Sequence, residues 1–499
     1  MKKTLLFILL SVLIAQVTHA QMRRSEKRGI CENNPNYTAQ YAQALAPGVS
    51  WTYNWYVAPE PDNLNAGEQE ISFAPMCWNH DYDATKLRQY LQSHPGTKYL
   101  LGFNEPNFSS QANMTPAFAA QHWHELEQLA QEFNLKLVSP ALNFTGERVG
   151  GRVWGIDDWL GQFIVEYQAL HDGNDPQMDY IALHCYMNWA GALDWYVNTY
   201  LFDNDKNADL KAYFQRNGKK QIMLTEWCAW EGDKDGFVTN VDNQIDQMVQ
   251  KVQIMEQSDN VAGYAWFMGI GGNLNNGYPY YHVFQSAPDG IELNELGLVY
   301  THMSSFDREW WNTVNLRIPA KDYIDMSECQ LRHNTDIESN NMIELSKFEQ
   351  YVNWEGNTIT PYVTYQVETD TDADYTISYR INAPFGAVFN LAVDGTTVAQ
   401  HSFEGGEGWR TVEARLSLSA GKHQLKIMNV NQASCRFNWF MLTPSTTAIK
   451  GINAPDGRNI STVRYYDMKG ALTTPAAGGP VVRSILYDDG TETTEKIIK

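Results

Sequence analysis

The 499-residue sequence is short of positive charge. Its 37 Lys and Arg stand against 58 Asp and Glu, a formal net charge of −21. Such a chain repels phosphate backbones, and no basic cluster interleaved with aromatics offsets the repulsion, so nucleic acid is not an expected partner. Sulfated and uronic polymers are disfavoured on the same ground, and a neutral ligand fits better. Cysteine is scarce too. The six residues Cys31, Cys77, Cys185, Cys228, Cys329 and Cys435 form neither a CxxC pair nor a zinc pattern, and they are too few for a disulfide scaffold in a chain this long. Cys77, Cys185 and Cys228 fall in strand-like runs and read as buried thiols. No ligand cluster with metal spacing appears, so neither a metal nor an organic cofactor is expected. There are no internal repeats.

Long apolar runs are missing as well, with one exception. The N-terminus MKKTLLFILLSVLIAQVTHAQ has a basic start, an apolar stretch from Leu5 to Val17 and a small-residue site ending at Ala20. It reads as a signal peptide, residues 1–20, cleaved before Gln21. No later stretch approaches the roughly 18 apolar residues needed to cross a bilayer. The expectation is a protein secreted or held at the cell surface, with no membrane span.

What the chain does have is aromatics, 16 Trp and 27 Tyr among them, and a long strand–helix alternation. Between residues 28 and 310 eight strands are read: Gly29–Glu32, Ser50–Tyr56, Ala74–Trp78, Tyr99–Asn104, Leu135–Leu142, Tyr180–Tyr186, Gln221–Trp227 and Ala262–Met268. The helix after the fourth is the clearest. Thr115 can cap it, Pro116 suits its first turn, and Ala119, Trp123, Leu126, Ala130 and Phe133 form one apolar stripe. Eight such alternations predict an α/β fold, a (β/α)8 TIM barrel whose active site lies where the strands end. Residues 311–342 are polar and aperiodic and read as a linker. From 343 to 443 period-two segments separated by turns predict a β-sandwich of the jelly-roll kind. Residues 444–499, richer in Gly, Thr and Pro, read as a small β-rich tail domain.

Two short runs carry the chemistry. GFNEPNF (Gly102 to Phe108) and MLTEWCAW (Met223 to Trp230) each place one glutamate at the end of a strand, with aromatics beside it. An isolated glutamate there usually just meets solvent, but Glu105 and Glu226 close the fourth and seventh strands of one barrel. Glycoside hydrolysis needs such a pair: one carboxyl protonates the leaving oxygen, the other attacks the anomeric centre. Glu105 is expected to be the general acid and then the base, with its pKa raised. Glu226 is expected to be the ionised nucleophile, held by donors such as His184 and Tyr186 at the end of strand six. Asn104 can hold a sugar hydroxyl through its amide. Trp189, Trp227 and Trp266, with Asn54 and Trp55 on strand two, are candidate sugar contacts.

The motifs RGICENN, SWTYNWY, LGFNEPN, LVSPALN, DYIALHCYMNW, MLTEW and GYAWFMG occur in the order seen in glycoside hydrolase family 128, which the segment resembles over about 280 residues. The resemblance implies a retaining enzyme with Asn104-Glu105 as the acid/base motif and Glu226 as the nucleophile. It also implies Trp227 and Trp266 as platforms and β-1,3-glucan, laminarin-like, as substrate. The expected partner is therefore a neutral polysaccharide or oligosaccharide. Two other readings stand beside it: a surface glycan-binding protein with little or no cleavage, and a retaining glycosidase for another neutral β-glycan. The segment from Ile343 resembles a family 6 carbohydrate-binding module through IELSKFEQ, PYVTYQVE, LAVDG, GEGWRTV and FNWFML, which implies Tyr362 (or Tyr365), Trp409 and Asn438 as sugar contacts. The tail, with YYDMKG and a closing KIIK, resembles a type IX secretion sorting domain and so implies the secretion machinery as a partner.

Overall fold

The computed structural model describes residues 22–32, 39–59, 71–202, 207–230, 238–270, 277, 279–288 and 290–445, with 460–467, 472–473, 481–487 and 491–497. The expected signal peptide lies outside the described residues. The chain divides into two compact units. One runs to Trp310 and includes Lys321–Asp325 and Leu331–His333; the other holds Trp311–Ala320, Met326–Gln330 and the chain from Asn334 onward.

The first unit is built on eight parallel strands: β1 (Arg28–Cys31), β2 (Trp51–Tyr53), β3 (Ser72–Phe73), β4 (Tyr99–Leu101), β5 (Lys136–Val138), β6 (Tyr180–Cys185), β7 (Gln221–Trp227) and β8 (Val261–Trp266). They follow one another in the order β3-β2-β1-β8-β7-β6-β5-β4. The two ends of that row meet: Cys77 N–H donates to Leu101 O (3.0 Å) and Leu101 N–H to Pro75 O (2.9 Å). The result is a TIM-barrel-like α/β core. Its strands are buried almost throughout, as β6 and β7 show, because parallel strands covered on both faces read as continuous apolar runs.

Local chemistry explains the strand and helix limits. The expected fifth strand, 135–142, breaks after Val138, where Ser139 and Pro140 intervene and proline offers no N–H to a ladder; a short strand, Leu142–Asn143, resumes beside β6. The helix Pro116–Glu132 starts as expected, with Thr115 accepting from Phe118 N–H at 3.2 Å. Its buried stripe is Ala119, Trp123, Leu126 and Ala130, while Phe133 caps the C-terminus half-exposed.

In the second unit two antiparallel sheets form. One joins Tyr362–Thr369, Gly421–Asn429, Ala387–Val393 and Thr396–Phe403; the other joins Ile343–Lys347, Arg436–Pro444, Ala373–Asn382 and Arg410–Leu418. Rings from the two sheets meet between them, Tyr365 with Phe440 at 4.8 Å and Phe389 with Phe437 at 6.0 Å. The segment expected as a linker takes part in these sheets. Asn312–Thr313 pairs with Val367 and Glu368, and Ile318–Pro319 with Phe440 and Trp439, so backbone groups that a free linker would leave to water are used in ladders. Further on, Ile460–Asp467 and Glu492–Ile497 both pair antiparallel with Val481–Tyr487.

Candidate active site

Glu105 is set by its backbone first. Beyond β4, Asn104 N–H donates to Trp78 O (2.8 Å), Glu105 N–H to Ala141 O (2.9 Å), and Ala141 N–H to Phe103 O (2.8 Å). The chain end is thus gripped by both neighbouring strands. That grip holds Glu105 at φ +42°, in the left-handed region that side-chain-bearing residues avoid. Its carboxylate is buried and accepts at Oε1 from Asn143 Nδ2 (2.8 Å) and from His184 Nδ1 (2.7 Å).

Glu226 is set by a bulge. Along β6 and β7, Leu224 pairs with Leu183 but Glu226 with His184, so Thr225 is an extra residue in β7. In a regular strand Thr225 and Glu226 would point to opposite faces. The bulge turns both toward His184: Thr225 Oγ1 lies 3.1 Å from His184 Nε2, and Glu226 Oε2 lies 3.2 Å from Nδ1. Trp55 donates its indole N–H to Glu226 Oε1 at 2.6 Å, and the Tyr186 hydroxyl donates to Oε2. One oxygen of each glutamate and a His184 ring nitrogen all fall within 4.8 Å of one another.

Three titratable groups in so small a volume shift one another. Burial pushes the Glu226 carboxyl up; His184 pulls it down, but burial and the neighbouring Glu105 charge win, so it sits above the ordinary carboxylate range. For Glu105 burial also pushes up, yet the hydrogen bond and charge of His184, with the Asn143 amide, hold its pKa below the ordinary value. Burial works to lower His184, and the two carboxylates overcome it and raise it. The lowered Glu105 carboxyl is the reverse of the raised pKa expected for it, and of the two carboxyls it is Glu226 that is raised. In the ligand-free site His184 Nδ1 lies between the two carboxylates, 2.7 Å from Glu105 Oε1 and 3.2 Å from Glu226 Oε2.

Residues 29–300 match the family model described as the glycosyl hydrolase catalytic core. The chain belongs to the glycosyl hydrolase catalytic core family. Over 261 residues this catalytic core is 25% identical to alkali-sensitive linkage protein 1 of Schizosaccharomyces pombe, a match covering 51% of this chain and 40% of that protein. The chain thus spans well under two thirds of that relative. Among solved structures it is similar to a subgroup II endo-β-1,3-glucanase of glycoside hydrolase family 128 from Pseudomonas viridiflava, at 33% identity over 56% of this chain and 98% of that one, with a TM-score of 0.45. A subgroup II endo-β-1,3-glucanase of the same family from Sorangium cellulosum is 27% identical over 55% and 97%, with a TM-score of 0.41.

Around the two glutamates of this glycosyl hydrolase core, the structure gathers some of the expected contacts and not others. Asn104 is buried with its Oδ1 unpaired, an acceptor waiting for a donor. His184, Tyr186 and Trp55 touch the carboxylates. Asn54 instead shapes the turn after β2, its amide bonded to Ala58 O and Tyr56 N–H. Trp189 is 56% exposed at the start of the helix Ala190–Trp195. Trp227 and Trp266 are corrected: both are fully buried, packed edge to face at 4.7 Å and against Tyr300 of the helix Glu295–His302. Because Glu226 faces the cleft, the next residue in the strand faces the helical layer. The ring beside the carboxylates is Phe267, one residue past Trp266, with Trp55 at 5.8 Å and Tyr186 at 5.6 Å. Asn143 and Thr225 were also missed, although an amide closing strand five was a readable signal.

Glu105, His184 and Glu226 also form the one group of metal-ligand side chains among the described residues. His184 Nδ1 stands 2.7 Å from Glu105 Oε1 and 3.2 Å from Glu226 Oε2, within the range of hydrogen bonds and ion pairs. The six cysteines are buried free thiols.

In the second unit the three expected sugar contacts are not assembled. Tyr362 lies in one sheet with the Lys426 ammonium 3.3 Å over its ring; Trp409 and Asn438 belong with the other. Asn438 is fully buried, its Nδ2 donating to Asp336 Oδ2 (3.0 Å) and its Oδ1 accepting from Asn341 Nδ2 (2.7 Å). That amide locks the 334–341 loop and has no exposed edge for a sugar, which corrects the expectation. Trp409 is half-buried, and its N–H donates to Thr335 Oγ1 at 3.1 Å.

Proposed function

We propose that this protein is a retaining glycoside hydrolase acting on β-1,3-glucan. The observation that carries the reading is the pair of buried carboxylates with oxygens within 4.8 Å of each other. Retaining enzymes hold their carboxyls about 5–5.5 Å apart, whereas inverting enzymes leave about 6.5–9.5 Å for a water. Family 128 sequence motifs, and the glucanases whose sequences resemble this one, support β-1,3-glucan as the polymer. The low count of basic residues supports a neutral chain. Export by residues 1–20, and sorting by residues 444–499, belong to the same proposal and rest on sequence alone.

In the first step Glu226 attacks the anomeric carbon while Glu105 protonates the glycosidic oxygen; the C–O bond to the leaving sugar breaks and a glycosyl ester forms. Trp55 and Tyr186 hold Glu226 in line. His184 Nδ1, 2.7 Å from Oε1, is one hydrogen bond away and can hand Glu105 the proton it requires. As the ester consumes the Glu226 charge, less negative potential holds that proton on the imidazole. Glu105 then takes a proton from water, which attacks the ester and releases the sugar with its configuration retained. Asn104 Oδ1 is available to accept from a hydroxyl of the sugar at the cleavage site.

Product release from laminarin by the full chain, Glu105→Gln and Glu226→Gln tests the reading. The expected result is short β-1,3 oligosaccharides from the wild type, first appearing as the β anomer by NMR, and loss of most activity in both variants. First appearance of the α anomer would overturn retention. Binding of glucan without any new reducing ends would make the barrel a glycan-binding platform instead.

A further inference from the structure

We propose that Phe144 and Trp195 form the subsite for the leaving part of the glucan chain, on the Glu105 side of the cleft. This deepens the glucanase reading and rests on it. Among the described residues of the first unit, the large aromatics that are exposed are Tyr56, Trp189, Trp195 and Trp230. Each lies in a segment that follows the C-terminal end of β2, β6 or β7, the face where both glutamates sit.

The aromatics on that face divide between the two carboxylates. Trp230 stacks on Phe267 at 5.8 Å and meets Tyr186, the Glu226 donor, at 5.5 Å. A second group starts directly after Asn143, whose amide holds Glu105. There Phe144 meets Trp195 at 6.2 Å, Tyr196 at 5.7 Å and Tyr200 at 5.6 Å. This group is fixed in place. Tyr196 donates its hydroxyl to His184 O (3.1 Å) and Tyr200 to Asp157 Oδ1 (2.9 Å). Yet Trp195, carried by this framework, is 43% exposed. A rigidly held indole left facing water offers a flat apolar surface, and the apolar face of a pyranose ring matches it.

The side follows from the chemistry. The general acid touches the glycosidic oxygen, so the departing sugars lie beyond Glu105, while the sugar that is attacked lies over Glu226. An aromatic wall attached to the Glu105 side therefore meets the departing portion. Binding gained there accelerates cleavage only for substrates that have sugars past the scissile bond.

Trp195→Ala and Trp195→Phe in the full chain, assayed on laminarihexaose and on β-laminaribiosyl fluoride, test this. The fluoride carries the same attacked sugar and no sugar on the leaving side. Expected for Trp195→Ala is a fall of about tenfold or more in kcat/KM on the hexaose, less than about twofold change on the fluoride, and partial recovery in Trp195→Phe. Cleavage of the hexaose should also move toward its reducing end. An equal fall on both substrates, or no change on the hexaose, would overturn the assignment. A wild type inert on both substrates would instead defeat the glucanase reading.

Discussion

Trp55 donates its indole N–H to Glu226 Oε1 across 2.6 Å, although the two residues are 171 positions apart in the chain. A short hydrogen bond to a carboxylate at that length is charge-assisted and directional. Its ring is also one edge of the aromatic group around Phe267. Trp55→Phe keeps an aromatic ring and removes the donor. Expected is a loss of about 1.5–3 kcal/mol of transition-state stabilisation, or roughly 10- to 150-fold in kcat, with little change in melting temperature. Steady-state kinetics beside calorimetry checks it.

His184 makes the site sensitive to pH. Its pKa is raised from 6.5, and the groups facing it are Glu105, Glu226 and Thr225. A group whose pKa is higher in the folded state contributes stability that is complete below the unfolded value and lost as pH climbs through the folded one. Activity should accordingly fall along an alkaline limb above about 6.5, as the proton source for Glu105 is lost. In Glu226→Gln one of the two charges that raise His184 is gone, so the imidazole, followed by NMR, should titrate lower than in the wild type. The stability gap between wild type and His184→Gln should narrow from pH 6 to pH 9.

Trp227 and Phe267 should separate stability from function. Trp227 is fully buried, so Trp227→Ala opens a cavity and costs about 3–5 kcal/mol. Phe267 is half-buried beside the carboxylates, so Phe267→Ala should raise KM for glucan with a smaller loss of stability. Denaturant unfolding and oligosaccharide kinetics on both variants check the contrast.

In the second unit, Asp336 accepts from Arg380 Nε at 2.7 Å and from Asn438. Arg380 is the main reason its carboxyl is held below the ordinary value, against the push of burial. Arg380→Met leaves a buried charge unpaired, for which about 3–5 kcal/mol of destabilisation is expected. The contribution of Asp336 is present above its unfolded pKa and disappears as pH falls through the folded one. Unfolding of the variant and the wild type at pH 7 and pH 3 should therefore differ less at the lower pH.

How much of this was readable before folding depends on the range of the interaction. Strand–helix alternation, the Thr115 cap and the period-two runs after residue 343 are local patterns, and local backbone preference and burial period are enough to write them into the sequence. The two glutamates were legible because a carboxylate closing an apolar strand is unusual and the strand count placed them on one barrel. Tertiary structure alone decided which neighbours face them. The extra residue Thr225 in β7 turns Glu226 toward His184 and sends Trp227 to the core, and no propensity in MLTEW announces a bulge that exists only against the neighbouring strands β6 and β8. The titration shifts, too, belong to the fold: Glu105 and Glu226 raise His184 against its burial, because a pKa is a property of surroundings brought together from the ends of β2, β4, β6 and β7.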